Sequence, residues 1–218
     1  MARRRYPECV VRAGAARLRT LEELVALPRR SPITPELRRA LGAASALHGL
    51  RTDLAPVPVR PTSTTSEAGA YRFRRRDPID IRISACSGRV AIGFLHELAH
   101  LVDHQIQRRP VERVWASALD PAFAAWRAVA ASLESRPFPG GRHRRRYFES
   151  AHEVWARCYA QTVLLRSDDE RLTSQLVRLQ RDDDPFVWPV AEFEPVAVEV
   201  ELVFQRLGLT QLSLPFAA

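Results

Sequence analysis

His96 and His100 stand four positions apart in the apolar stretch Gly93-Phe94-Leu95-His96-Glu97-Leu98-Ala99-His100-Leu101-Val102, a spacing that constrains the fold more than any other feature of the chain. Four residues is close to one turn of α-helix, so both imidazoles leave the same face and can hold one metal ion. Glu97 sits beside that face, where its carboxylate can take a proton from an attacking water. No proline interrupts the stretch until Pro110. A helix with two hydrogen-bonded histidines and no metal is the alternative. The apolar context favours the metal, and with it a zinc hydrolase, a peptidase foremost.

Zinc in a catalytic site usually takes three protein ligands and keeps one position for water. The chain offers several candidates for the third. His104 lies one further turn along the same helix, where it cannot converge on the ion without breaking the helix. Asp103 is better placed to orient a ligand histidine through a hydrogen bond. His143 sits in a basic, glycine-rich stretch, and Glu149 and Glu153 follow it. Glu153 is favoured, because the ion needs a partner from a different element. Ala156, three residues on, shares its helix face and allows close approach to the motif helix. The competing reading pairs Glu153 with Arg157 at i+4 on an exposed face.

Around these residues the pattern predicts helices, a small sheet, then mostly helices, an α+β arrangement. Thr20 to Leu27 is a short amphipathic segment stopped by Pro28. Thr34-Pro35-Glu36 opens a helix to about His48, with Thr34 as cap. Residues 52–69, with Pro56, Pro58 and Pro61, read as a loop or linker. Tyr71 to Arg75 and Ile79 to Ala85 read as strands, the second with alternating Ile79, Ile81 and Ile83. Helices follow at about Arg89–Arg108, Pro121–Ser135 (capped by Asp120), Tyr147–Leu165, Asp168–Leu179 and Glu194–Leu207, with a basic loop over Arg136–Arg145. The expected division is an N-terminal helical and linker region, 1–69, disordered over its first 19 residues, and a catalytic domain, 70–218.

All 33 basic residues are arginine, and the net charge is +8. The absence of lysine and asparagine fits a GC-rich coding sequence. The charge still draws the protein towards acidic partners. Arg3 to Arg5, Arg72 with Arg74 to Arg76, and Arg142 with Arg144 to Arg146 are clusters that can meet nucleic-acid phosphates, although charge runs are commonly just solvated faces. The three cysteines, Cys9, Cys86 and Cys158, have no C-x-x-C spacing, which argues against a disulfide framework. Cys158 reads as a core residue, and Cys86 as a thiol without a role rather than a metal ligand. No apolar run is long enough for a membrane span, and the basic N-terminus lacks an apolar signal region, so a cytoplasmic location is the expectation.

His96-Glu97-x-x-His100, with Asp103 three residues on, and Glu153-x-x-Ala156-x-x-Tyr159 resemble the gluzincin class of zinc metallopeptidases, specifically its lethal-factor-like group and small phage or bacterial members. The resemblance spans about residues 79–165. It implies a zincin-like fold, Zn2+ held by His96, His100 and Glu153, and Glu97 as general base. It also implies that Tyr147 hydrogen-bonds the reacting carbonyl. Arg157 stands where the class carries an acidic residue. Under this reading an extended protein or peptide substrate lies along the strand Ile79–Ala85, and arginines near the cleft favour acidic side chains. Two other classes remain: a DNA-associated zinc protease docked through its arginine clusters, and a non-catalytic zinc-binding interaction module.

Overall fold

The computed structural model describes residues 16–65, 67–75, 77–106, 115–133 and 141–210, with the side chains of 143 and 144 outside that set. Expectations for Arg3 to Arg5, Cys9, Arg76 and the His143 side chain lie outside the described residues. The described chain begins with β1 (Leu18–Thr20), α1 (Leu21–Leu24) and β2 (Val25–Ala26). Thr20 starts α1 through a reciprocal cap. Its hydroxyl accepts from the Glu23 N–H while the Glu23 carboxylate accepts from the Thr20 N–H.

Helix α2 (Thr34–Leu47) carries Pro35 in its first turn, as expected. Thr34 is not its cap: Ile33 is, and the Thr34 hydroxyl donates instead to the Pro28 carbonyl at 2.9 Å. After β3 (Gly49–Arg51) the stretch read as a linker forms a strand, β4 (Val57–Thr62). Strands β5 (Gly69–Arg74) and β6 (Asp77–Ser84) complete a four-stranded sheet of order β2-β4-β6-β5, and β1 pairs separately with β3. β4 runs parallel to β2 and β6, whereas β5 is antiparallel to β6.

Ile81 and Ile83 of β6 are buried beneath the motif helix α3 (Val90–Ile106), and Val57 and Val59 of β4 are buried on the same face of the sheet. Side chains from elsewhere cap α3. The Glu36 carboxylate accepts from the Ala91 N–H at 3.0 Å, and the Gln175 amide oxygen from the Ile92 N–H at 3.2 Å. Then come α4 (Ala116–Leu119), a 3₁₀ turn over Pro121–Phe123 capped by Asp120, and α5 (Ala124–Ala130).

The helix expected over Tyr147–Leu165 is two helices, α6 (Arg142–Phe148) and α7 (Ala151–Leu165), and α6 takes in residues 142–145 of the expected basic loop, whose residues 136–140 lie outside the described residues. Ser150, extended at the N-cap of α7, makes the break, and its hydroxyl donates back to the Tyr147 carbonyl at 2.6 Å. Helix α7 is buried almost all round, packs on α3, and is flanked by α8 (Glu170–Arg181) and α9 (Val190–Arg206). One continuous core runs from Leu21 to Leu209. No helix of the described residues is long and apolar enough to cross a membrane.

His48, the C-cap of α2, ties this core together. It is fully buried and stacked on Phe204 of α9 at 3.7 Å between ring centroids. Its Nδ1 donates to the Gly49 carbonyl and its Nε2 accepts from the Tyr159 hydroxyl, each at 2.8 Å. Burial lowers its pKa from 6.5 to about 4. The folded ring stays neutral where the unfolded one is already protonated, so stability is full above about 6.5 and falls as pH drops towards 4. The loss is on the order of 3 kcal/mol. Urea unfolding midpoints between these pH values should fall more steeply in the wild type than in His48→Gln; equal slopes would contradict this assignment.

Candidate metal centre

The two histidines and Glu153 meet where α3 crosses the first turn of α7. His96 and His100 leave α3 one turn apart, and their Nε2 atoms are 3.2 Å from each other. Glu153 approaches from α7, with Oε2 3.3 Å from His96 Nε2 and Oε1 3.3 Å from His100 Nε2. All three residues are buried. Donors about 2.0 Å from an ion at tetrahedral angles stand roughly 3.3 Å apart, so these separations are the edges of one ligand face. No arrangement of protons lets the two Nε2 atoms and the carboxylate satisfy one another as well as a shared cation does. His96 Nδ1 and His100 Nδ1 have no hydrogen-bond partner among the described residues. The group could therefore hold a metal ion, and the donor set of two imidazoles and one carboxylate fits it.

Three buried acids close to this point have different environments. Burial works against ionisation of Glu153, but the hydrogen bonds to His100 and His96 outweigh it and hold its carboxyl well below the usual range. Its place in the first turn of α7 adds the favourable helix dipole. Burial pushes Glu97 up to about 7, against the pull of His100 and of the Tyr71 N–H. That N–H, on strand β5, donates to Glu97 Oε2 at 2.6 Å. Burial also pushes Asp103 up to about 6. Both Asp103 oxygens are engaged by Ser117, one by its N–H at 2.7 Å and one by its hydroxyl at 2.5 Å. Asp103 thus ties α3 to α4, and no hydrogen bond from a ligand histidine to it is among the described contacts.

The other candidates lie elsewhere. His104 bonds the Tyr71 hydroxyl at 2.7 Å and the Arg75 carbonyl at 3.2 Å. Glu149 is half exposed and pairs with Arg145 of α6 at 2.8 Å. Cys86 is exposed and Cys158 is buried, neither with a disulfide. Arg157 is buried rather than on an open face: its Nη2 donates to the Phe148 carbonyl at 2.8 Å and its guanidinium lies 4.9 Å from the Trp188 ring centroid. It fastens the turn between α6 and α7 that places Tyr147 and Glu153.

A cleft of about 870 Å³ opens over His96, His100 and Glu153, lined by Glu97, Tyr147, His152, Trp115, Phe148 and Phe186, and by Gly69 to Tyr71 and Phe73 of β5. Burial and the neighbouring Glu153 carboxylate raise the pKa of the Tyr147 hydroxyl. Strand β5 is the sheet edge beside this cleft. The strand expected there, now β6, is paired on both sides by β4 and β5 and is closed to a further strand. Gly69 makes close approach possible, since a Cβ there would stand 2.8 Å from Glu97 Cγ and 3.1 Å from the Arg82 carbonyl oxygen. Sequence reasoning missed Gly69, the Tyr71 amide, Trp115 and His152. A backbone N–H leaves no trace in residue type, and Trp115 and His152 are joined only by stacking at 4.8 Å.

Titration with a divalent ion should give one bound ion per chain and raise the thermal unfolding temperature. At a hundredfold excess over Kd the stabilisation is about 2.7 kcal/mol. Glu153→Ala should weaken binding by roughly 100-fold or more, whereas Glu149→Ala should leave it unchanged. Equal behaviour of these two variants would exclude the three-residue site.

No family model, no curated protein and no solved structure matches this chain.

Proposed function

We propose that the chain is a zinc-dependent metallopeptidase of the gluzincin type with a zincin-like catalytic unit. The observation that carries this reading is the convergence of His96, His100 and Glu153 at 3.2 to 3.3 Å, with Glu97 next in sequence to the first ligand and facing the same cleft. Two nitrogen donors and one carboxylate are the set that catalytic zinc sites favour. Zinc, when bound, polarises a water molecule and the scissile carbonyl.

The remaining steps belong to the chain. Glu97 takes the proton of the attacking water and delivers it to the leaving amine. The Tyr71 N–H holds one of the Glu97 oxygens, which leaves the other to work on the water. Tyr147, at the cleft wall, donates to the oxygen that becomes negative at the carbonyl. The peptide lies extended along β5, where main-chain pairing gives affinity with modest sequence demands. Arg89, the arginine that lines the cleft, is paired with Asp184 at 2.5 Å, so the expected preference for acidic side chains finds no support there.

Quenched-peptide libraries, read by mass spectrometry with and without a chelator, test the activity. Glu97→Gln should retain zinc, keep the bond from Tyr71, and lose turnover by roughly a thousandfold or more. Tyr147→Phe should lower kcat by about 10- to 100-fold with little change in KM. Gly69→Ala should leave zinc uptake intact but displace Glu97, at a cost of about tenfold or more in kcat. Unchanged cleavage by Glu97→Gln, or zinc uptake with no cleavage of any peptide, would remove the peptidase reading.

A further inference from the structure

The face of the sheet turned away from the cleft carries an unbalanced group of charges. Strand residues alternate between faces, so Tyr71 and Phe73 line the cleft while Arg72, between them, stands on the other side. There the strand register sets Arg72 opposite Asp80, and Arg60 opposite Arg82. Asp80 is fully buried. Arg72 grips it with Nε and Nη2, each at 2.6 Å, which already satisfies both carboxylate oxygens. Arg60 and Arg82 approach the same carboxylate with Nε nearest, at 3.2 and 3.7 Å, and neither has an Nη hydrogen bond among the described contacts. The three side chains remain 64%, 41% and 44% exposed for Arg60, Arg72 and Arg82.

Three positive charges around one negative leave an excess of two. Structure alone does not require it, since Arg72 suffices for Asp80, and two arginines on directly opposed positions repel each other. What the arrangement does is aim guanidiniums outward from three adjacent strands, with the Nη groups of Arg60 and Arg82 left to bind planar, two-pronged acceptors. The outward positions of these strands, Pro58, Thr62, Arg74 and Ser84 among them, include no aromatic ring on which a base could stack.

We propose that this sheet face, where Arg60, Arg72 and Arg82 fan out over the buried Asp80, binds the phosphate backbone of nucleic acid without reading its sequence. The arginines around Asp80 come from three separate strands, so the group is not a run along the sequence. The site lies opposite the cleft and does not depend on the metal reading. Net charge of +8 adds long-range attraction to the same partner. Fluorescence anisotropy of the full chain with a short mixed-sequence DNA duplex, between about 50 and 200 mM salt, reads the interaction directly.

With three phosphates neutralised, log Kd against log salt should change by about 2.7 per decade, from roughly 0.9 per contact. Arg60→Gln with Arg82→Gln keeps the side-chain stems and should cut that slope by about two and weaken binding at least tenfold at the lowest salt. Arg171→Gln with Arg178→Gln, exposed positions on α8, removes the same charge and should change affinity by less than about twofold. Should the double variant fail to fold, either single variant should lower the slope by about one. Equal losses from the sheet and α8 variants, or no binding by the wild type at about 50 mM salt, would overturn the proposal. Tighter binding to polyglutamate than to the duplex would overturn it in favour of an acidic protein partner.

Discussion

The site depends on the packing of α3 against α7. Two histidines on a single helix turn make only half a metal site, and the sequence between them says nothing about where the rest comes from. Helix α7 supplies it because it is buried nearly all round, so its position is fixed by contacts on every side. Ala156, fully buried one turn beyond Glu153, removes the bulk that would hold the helices apart. Each neighbour of this pair then serves to hold it: Glu36 and Gln175 at the N-terminus of α3, Asp103 through Ser117, His48 through Tyr159, and Arg157 through the turn that ends α6.

Electrostatics separates the roles of acids that share one small volume. Glu97, Asp103 and Glu153 are all buried, and burial alone would raise the pKa of each. Glu153 escapes because two imidazoles face its oxygens, which holds its carboxyl well below the usual range. Glu97 has one backbone donor, too little to offset burial, which pushes it up to about 7. Asp103, near 6, is engaged by Ser117 on both oxygens and serves to join two helices. Asp80 follows the same rule on the other side of the sheet: the bidentate Arg72, aided by Arg82 and Arg60, keeps it ionised. Sequence spacing cannot separate these residues; their immediate neighbours do.

Local periodicity carried the parts of the fold that local physics determines. The motif helix, the strand with alternating isoleucines, the buried Cys158 and the grouping of Glu153 with His96 and His100 could all be read from spacing and residue type. Strand β4 could not, because Pro58 and Pro61 argue against a strand inside a sheet. Both are tolerated by position. Pro58 precedes the ladder with β6, which begins at Val59, and Pro61 lies past the two residues that β2 covers. The break between α6 and α7 was hidden for the opposite reason: Tyr147 to Leu165 has helical periodicity throughout, and only the capping geometry of Ser150 divides it. Which strand forms the edge is a matter of pairing partners, which no single strand's sequence contains.

Strand β5 shows how one element can serve two surfaces. Its alternation gives Gly69, Tyr71 and Phe73 to the cleft and Arg72 to the opposite face. A slip of one residue would exchange these sets, sending the arginine into the cleft and the Tyr71 side chain outward. The bidentate pair between Arg72 and Asp80 resists that slip, because it forms only in the observed register. The irregularity between Arg72 and Phe73 then bends the strand just beyond the pair. An ion pair on the outer face therefore helps to hold the Tyr71 amide against Glu97 on the inner one. The placement of Glu97 depends on charges that never enter the cleft.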